Sequence, residues 1–258
     1  MEKEETLFRK RLVELSNLAY NRGTVFYTDF LNLNELNILH TLPKEMLAID
    51  YKTFGGYEFS ERQIAAFIPD AFSMYREEEE ILNDFPIEII KISPVIEKFS
   101  DELTHRDYLG ALLNLGIERS VLGDIIIENK DAYVFAKPNM TDYIIDGLSK
   151  VKHTTVLVSK VEKTEFHYQP NIEEIKGNVA SVRLDALIAL VYKSSRSKIV
   201  PLIENGKVYV NGKMITSNGY HLKEDDIISV RGMGRFQYKE VIAETKKGRL
   251  FVTVHKYV

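Results

Sequence analysis

The sequence predicts an α+β chain of three small domains, on three observations. Between Ile87 and Val161 strand and helix signals follow the order β-α-β-β-α-β. Ahead of that stretch helices and strands mix without such an order. Behind it, two short helices run into a strand, an Asn-Gly turn and a returning strand. The 258 residues suffice for two or three domains, and 45% apolar content lets each bury a core. The expected boundaries are 1–75, a mixed α/β domain; 76–166, the β-α-β-β-α-β domain; 167–178, a linker; and 179–258, the helix–hairpin module.

In the first domain, Leu7, Phe8, Leu12, Leu15, Leu18 and Ala19 recur at helical spacing over residues 1–22. A second helix is expected from Asn32 to Leu42, stopped by Pro43. Met46 to Thr53 reads as a strand, Gly55-Gly56 as a turn, and Ser60 as the cap of a helix through Phe67. The domain ends near Met74, and Arg76 to Glu80 reads as a boundary or the start of a solvated helix.

The middle domain opens with a strand at Ile87 to Ile92. A helix from Thr104 to Leu115 follows, ended by Gly116. Strands at Asp124–Glu128 and Ala132–Ala136 flank Asn129-Lys130-Asp131, a hairpin signal. Thr141 is expected to cap a helix to Val151, and Thr155 to Val161 closes the domain as a strand. This is the split β-α-β, ferredoxin-like arrangement that RNA-recognition domains share with many enzymes and small-molecule sensors. The central strands show no aromatic pattern of the kind RNA-recognition domains use. Pro170 to Asn178 reads as a polar connector.

In the C-terminal module, Leu184, Leu187, Ile188 and Val191 form the apolar stripe of a short helix, with Arg183 and Asp185 expected off it, facing solvent. Ser195 or Ser197 is placed to cap a second helix. Its first-turn amides, with Arg196 and Lys198 beside them, make a phosphate site. Pro201 is expected early in that helix, because an interior proline costs about 3 kcal/mol. Gly206 is its natural stop. Val208 to Val210 and Lys213 to Ile215 flank Asn211-Gly212, and Ile227 to Val230 is a further strand before Gly232-Met233-Gly234 bends the chain.

Charge is unevenly spread. Residues 179–258 hold 14 Lys and Arg against 7 Asp and Glu, a net +7, so residues 1–178 hold 20 against 31, a net −11. A basic module on an acidic body points to a polyanion contact at the C-terminal end. There are no cysteines, which removes disulfides, thiolate nucleophiles and Cys-ligated metal sites. The charged N-terminus lacks a signal-peptide core and no apolar run is long enough to span a membrane, so a cytoplasmic protein is expected.

The spaced elements of Arg183 to Gly232 (RLD, SRS, the VNG turn, DD and VRG) resemble the S4 RNA-binding domain. Asp225 departs from that pattern, standing where the family usually has Gly, at a small expected cost in left-handed geometry. The runs HRDYLGALLNLGIERSVLGDIII at 105–127, VRGMGRF at 230–236 and TKKGR at 245–249 extend the likeness to the YlmH family of bacterial S4-domain proteins. That resemblance implies a factor binding the large ribosomal subunit with peptidyl-tRNA in rescue of stalled translation, encoded beside cell-division genes.

Catalytic signatures do not assemble. Gly248-Arg249-Leu250 is followed by Phe251 where a pseudouridine synthase needs Asp, and Gly232-Met233-Gly234 reaches Gln237 where a dinucleotide turn needs its third Gly. Gly206 to Lys213 has the wrong P-loop spacing, and the six histidines show no metal-ligand spacing. The expectation is a non-enzymatic monomer without cofactor or metal. It would hold rRNA or tRNA through Arg183, Ser195, Arg196, Ser197, Lys198, Lys207, Asn211, Lys213, Arg231 and Arg235. His105, Arg106 and Arg119 are expected as a second RNA surface. Two other readings stay open: an RNA-modifying enzyme with an appended S4 domain, and an adaptor in cell division.

Overall fold

The alternation between Ile87 and Val161 builds a split β-α-β sheet in the computed structural model, which describes residues 2–74, 76–246 and 248–257. The chain divides into two units, Met1–Glu35 with Leu42–Tyr168, and Leu36–Thr41 with Gln169–Val258. Residues on both sides of the expected boundary at 75 share the first unit, and Tyr75 itself lies outside the described residues.

The first unit starts with α1 (Glu2–Arg22), which buries Leu12, Leu15 and Ala19 of its stripe. Then come β1 (Phe26–Leu31), the start of α2 (Leu33–His40), whose residues from Leu36 on belong to the second unit, β2 (Tyr51–Phe54) and β3 (Gln63–Phe67), with the strands in the antiparallel order β1-β3-β2. Asn32 Oδ1 accepts from the Asn34 and Glu35 amides at 2.9 and 3.1 Å, which sets the start of α2. Two expectations fail here. The strand expected over Met46–Thr53 is confined to β2, behind a single 3₁₀ turn at Lys44–Met46. The helix expected from Ser60 to Phe67 is strand β3. Ile64, Ala65, Ala66 and Phe67 are all buried because β3 is the central strand, and a continuous apolar run does not separate such a strand from a buried helix.

After α3 (Asp70–Ser73) and α4 (Glu78–Asn83) come β4 (Glu88–Pro94), α5 (His105–Asn114), β5 (Leu122–Glu128), β6 (Asp131–Ala136), α6 (Pro138–Gly147), β7 (Lys150–Val151) and β8 (Thr154–Val161). The sheet order β5-β6-β4-β8-β7 is the ferredoxin-like one with a two-residue strand added at its edge. Helix α6 begins three residues before the expected Thr141, because Pro138 fits a first helical turn, and it stops at Gly147 so that Lys150 and Val151 pair with β8. Ile90, Ile92, Val134 and Val158 face α5 and α6 through Tyr108, Leu112 and Ile144. The opposite face is not free: Ile87, Ile89, Ile126 and Phe135 pack with Phe30, Ile64 and Phe85 of the N-terminal elements.

The second unit comprises β9 (Ile172–Val179), α7 (Leu184–Val191), α8 (Arg196–Glu204), β10 (Val208–Val210), β11 (Lys213–Met214), β12 (Ile227–Val230), β13 (Gly234–Glu244) and β14 (Leu250–Tyr257). Its strands form one antiparallel sheet in the order β11-β10-β12-β13-β14-β9. The residues expected as a polar connector are therefore an edge strand. Ile175, Gly177 and Val179 alternate inward, and a Cβ on Gly177 would lie 2.4 Å from Leu190 Cδ1, so only glycine admits that leucine. Glu173 and Glu174 stand across the strands from Lys256 and His255, a polar ladder that a scan for apolar alternation passes over. The long strands β13 and β14 had no counterpart in the sequence reading.

Candidate nucleic-acid interface

The stripe of α7 is buried as its spacing dictates, and the helix drives Leu184, Leu187, Ile188 and Val191 into the core of the sheet. Asp185 does not face solvent as expected: it is 3% exposed. Its carboxylate receives Arg183 Nε at 3.1 Å and Nη2 at 3.3 Å, and Arg196 Nε stands 3.9 Å away. One buried acid thus draws together an arginine from the start of α7 and one from the start of α8. A bidentate fork fixes the guanidinium plane, so Arg183 is held in one orientation while still partly exposed.

Helix α8 begins at Ser195 by position, but the serine makes no side-chain cap. Ser195 Oγ and Ser197 Oγ lie 2.9 Å apart and bond each other. The Lys198 and Ile199 amides donate to the Ser195 carbonyl, which leaves those of Arg196 and Ser197 at the open helix end. Arg196, Ser197 and Lys198 are exposed there. Pro201 sits inside α8, not early in it: it is the sixth of nine residues, and its missing N–H strands the Ser197 carbonyl. Both residues are exposed, so water can replace the lost bond.

At the other end of α8, the Arg231 amide donates to the Lys207 carbonyl at 2.8 Å, which brings two exposed cations from the ends of β10 and β12 together. Among the described residues, Lys198, Lys207 and Arg231 have no ion-pair partner. Arg235 lies over the Tyr257 ring, 5.6 Å from its centroid. Tyr192 ends α7 and pairs edge-on with Phe236 at 6.2 Å; burial pushes its phenol up to about 12.

Asn211 has a structural task in the turn. With φ of 48° it forms the hairpin turn with Gly212. Its amide donates to Asp226 Oδ1 and accepts from the Ile227 amide, both at 2.8 Å, which fixes the side chain and leaves one N–H of the exposed amide group. Asp225 adopts φ of 66°, the left-handed geometry expected of it. Lys213 lies on edge strand β11, where its charge, after burial, lowers the pKa of His40.

The three residues of the expected second surface have different surroundings. Arg119 turns inward, donating to the Leu122 and Gly123 carbonyls at 2.6 and 2.9 Å. Burial, then the charge of Arg62, brings its pKa down to about 10. Arg62 in turn donates to the carbonyls of Leu122, Phe30 and Arg119, while Asp124 accepts from Tyr57 and the Glu61 and Arg62 amides. Arg119 therefore belongs to a polar lock holding β3 to β5. His105 stands beside this lock, its pKa lowered by desolvation and then by Arg119. Arg106 instead lines a groove of about 500 Å³ with Asn114, Ser149, Lys150 and the Asp107–Lys152 pair.

Sequence reasoning missed two things here. Lys193 is exposed at the α7–α8 junction with φ of 47°, and lay in plain sight within KSSRSK. Asp185 was misjudged because helical spacing locates the apolar stripe but not a polar neighbour that its partners cover.

Comparison with known proteins falls on the same two units. Residues 78–165 match the family described as "Putative RNA-binding domain in YlmH", and residues 182–228 match the S4 domain family. The chain is 28% identical over 255 residues to the ribosome-associated protein quality control protein P2 of Bacillus subtilis, covering 98% of this chain and 96% of that protein. It also resembles the solved structure titled cell division protein ylmH from Streptococcus pneumoniae. That match has a TM-score of 0.50 and 26% identity, over 63% of this chain and 93% of the other. Lys247 of the TKKGR run lies outside the described residues.

Proposed function

Because this chain belongs to the YlmH family of S4-domain proteins, we propose that it is a non-catalytic RNA-binding protein acting on the large ribosomal subunit. Its role would be the rescue or quality control of stalled translation in the cytoplasm, as a monomer. The observation that carries this reading is the cationic face of the second unit. Asp185 orients Arg183 and Arg196, the α8 amides open beside them, and Lys198, Lys207 and Arg231 stand free. Oriented guanidinium groups and open helix amides suit phosphate oxygens, so the proposed grip is on the backbone of a folded RNA. Both rRNA and peptidyl-tRNA offer that backbone. The ribosome-associated Bacillus subtilis relative supports the ribosomal setting. The Streptococcus pneumoniae cell division protein favours a second reading, an adaptor in cell division.

Co-sedimentation tests the proposal. The Arg196→Glu, Lys198→Glu double variant is expected to leave the large-subunit fraction while the wild type stays with it. Retention of the variant at wild-type level would sink the assignment. Mass spectrometry of rRNA and tRNA from a deletion strain addresses catalysis: a missing modification would replace the non-catalytic reading with an enzymatic one.

A further inference from the structure

Domains of ferredoxin-like topology that bind RNA do so with aromatic side chains on the two central strands, which stack unpaired bases. In this chain those strands are β6 and β4, and the face away from the helices is only half closed. Phe135 is shut off: Tyr57 stacks on it at 5.0 Å and Phe166 meets it edge-on at 5.2 Å. Two residues earlier on the same face, Tyr133 is half-buried, with Phe166 on one side and the Lys91 ammonium 5.8 Å from its centroid. Past Lys91 the cover ends. Ser93 pairs with Leu157, which is 64% exposed, and Ser159, opposite Lys91, is exposed too.

The loop after β4 leaves from the end of this open half. Val95 keeps pairing with β8 through its amide to the Thr155 carbonyl at 3.0 Å. The next turn carries Ile96 and Phe99, and Phe99 is 77% exposed. Lys130 holds that turn to the β5–β6 hairpin, its Nζ donating to the Glu97 carbonyl at 2.5 Å and to Ser100 Oγ at 3.0 Å. On that pinned turn Phe99 buries little of its ring. The Lys98 ammonium sits 5.7 Å from its centroid.

We infer that this uncovered half-sheet, Tyr133, Leu157 and Phe99 with Lys91 and Lys98, is a stacking platform for unpaired RNA bases. The inference rests on the RNA-binding reading above and adds a second contact of different chemistry. Each ring is matched with a lysine, which suits a base followed by its phosphate, and the strand positions between them offer serine hydroxyls to base edges. Lys91 is ion-paired with Asp131 at 2.8 Å, so the platform carries little net charge and works by stacking, not by counterion release. It lies wholly within the stretch matched to an RNA-binding family.

The test uses the full chain and a fluorescent, unstructured RNA of about twelve nucleotides, titrated at several salt concentrations. Phe99→Ala should bind roughly tenfold more weakly with an unchanged salt slope, and Leu157→Ser should weaken binding in the same way. Both positions are exposed, so the fold is not at stake. Unchanged affinity in Phe99→Ala would overturn the inference. So would variants that bind the oligonucleotide normally yet leave the ribosomal fraction, which would assign the patch to a protein partner. These failures leave the Arg196→Glu, Lys198→Glu sedimentation result untouched, so the platform can fall while the proposed function stands.

Discussion

Asp185 puts a negative charge beneath a surface that has to attract phosphate, and the arginines it holds explain why that is worthwhile. A free guanidinium is attracted to RNA but must lose rotamer freedom on binding; one already fixed by a buried carboxylate has lost it beforehand. Asp185→Asn therefore makes the face more positive by one charge and yet is expected to weaken RNA binding several-fold, on the order of 1 kcal/mol. Fluorescence anisotropy with a folded RNA measures it, and tighter binding would show that charge alone governs the face. Asp107 makes a different residue-scale claim. Hydrogen bonds from Lys152 and then Thr104 bring its carboxyl from an ordinary 3.8 down to about 2. A carboxylate depressed in the folded state adds stability above its unfolded pKa and loses it as pH falls through the folded one. Asp107→Asn should melt earlier than wild type at pH 7, and the gap should close between about pH 4 and about pH 2. Residue type alone could not say which polar groups were committed. Arg119 looked as available as Arg196, but backbone carbonyls take its donors.

At the scale of elements, those legible in the sequence are the ones whose local chemistry is sufficient. The α7 stripe, the Asn211-Gly212 hairpin and the β-α-β-β-α-β order all follow from spacing and turn residues. Strand β3 was misread because burial on both faces erases the period of two, and β9 because its partners are a polar ladder and a glycine. The glycine gives the sharper test. Gly177→Val places branched carbon where Leu190 Cδ1 would lie 2.4 Å from the Cβ, so overpacking should cost about 1–3 kcal/mol. A thermal melt at wild-type temperature would mean that β9 does not seat against α7 as described.

Across the whole molecule, charge tells more than topology. The split of +7 against −11 is visible by counting residues, and it falls where the S4 match falls. Half-covering of the middle sheet is not visible that way, since it depends on Tyr57 and Phe166 meeting Phe135 of β6, with Tyr168 packed on Tyr57. Among the described residues no helix is long and apolar enough to cross a membrane. The central claim is that the second unit holds RNA by its phosphates through cations at the α7–α8 junction. The most direct measurement is the salt dependence of binding to a folded rRNA fragment, wild type against Arg196→Glu, Lys198→Glu. The account predicts weaker binding and a log–log slope shallower by about two, one for each lost phosphate contact. Equal affinity and an equal slope would contradict it.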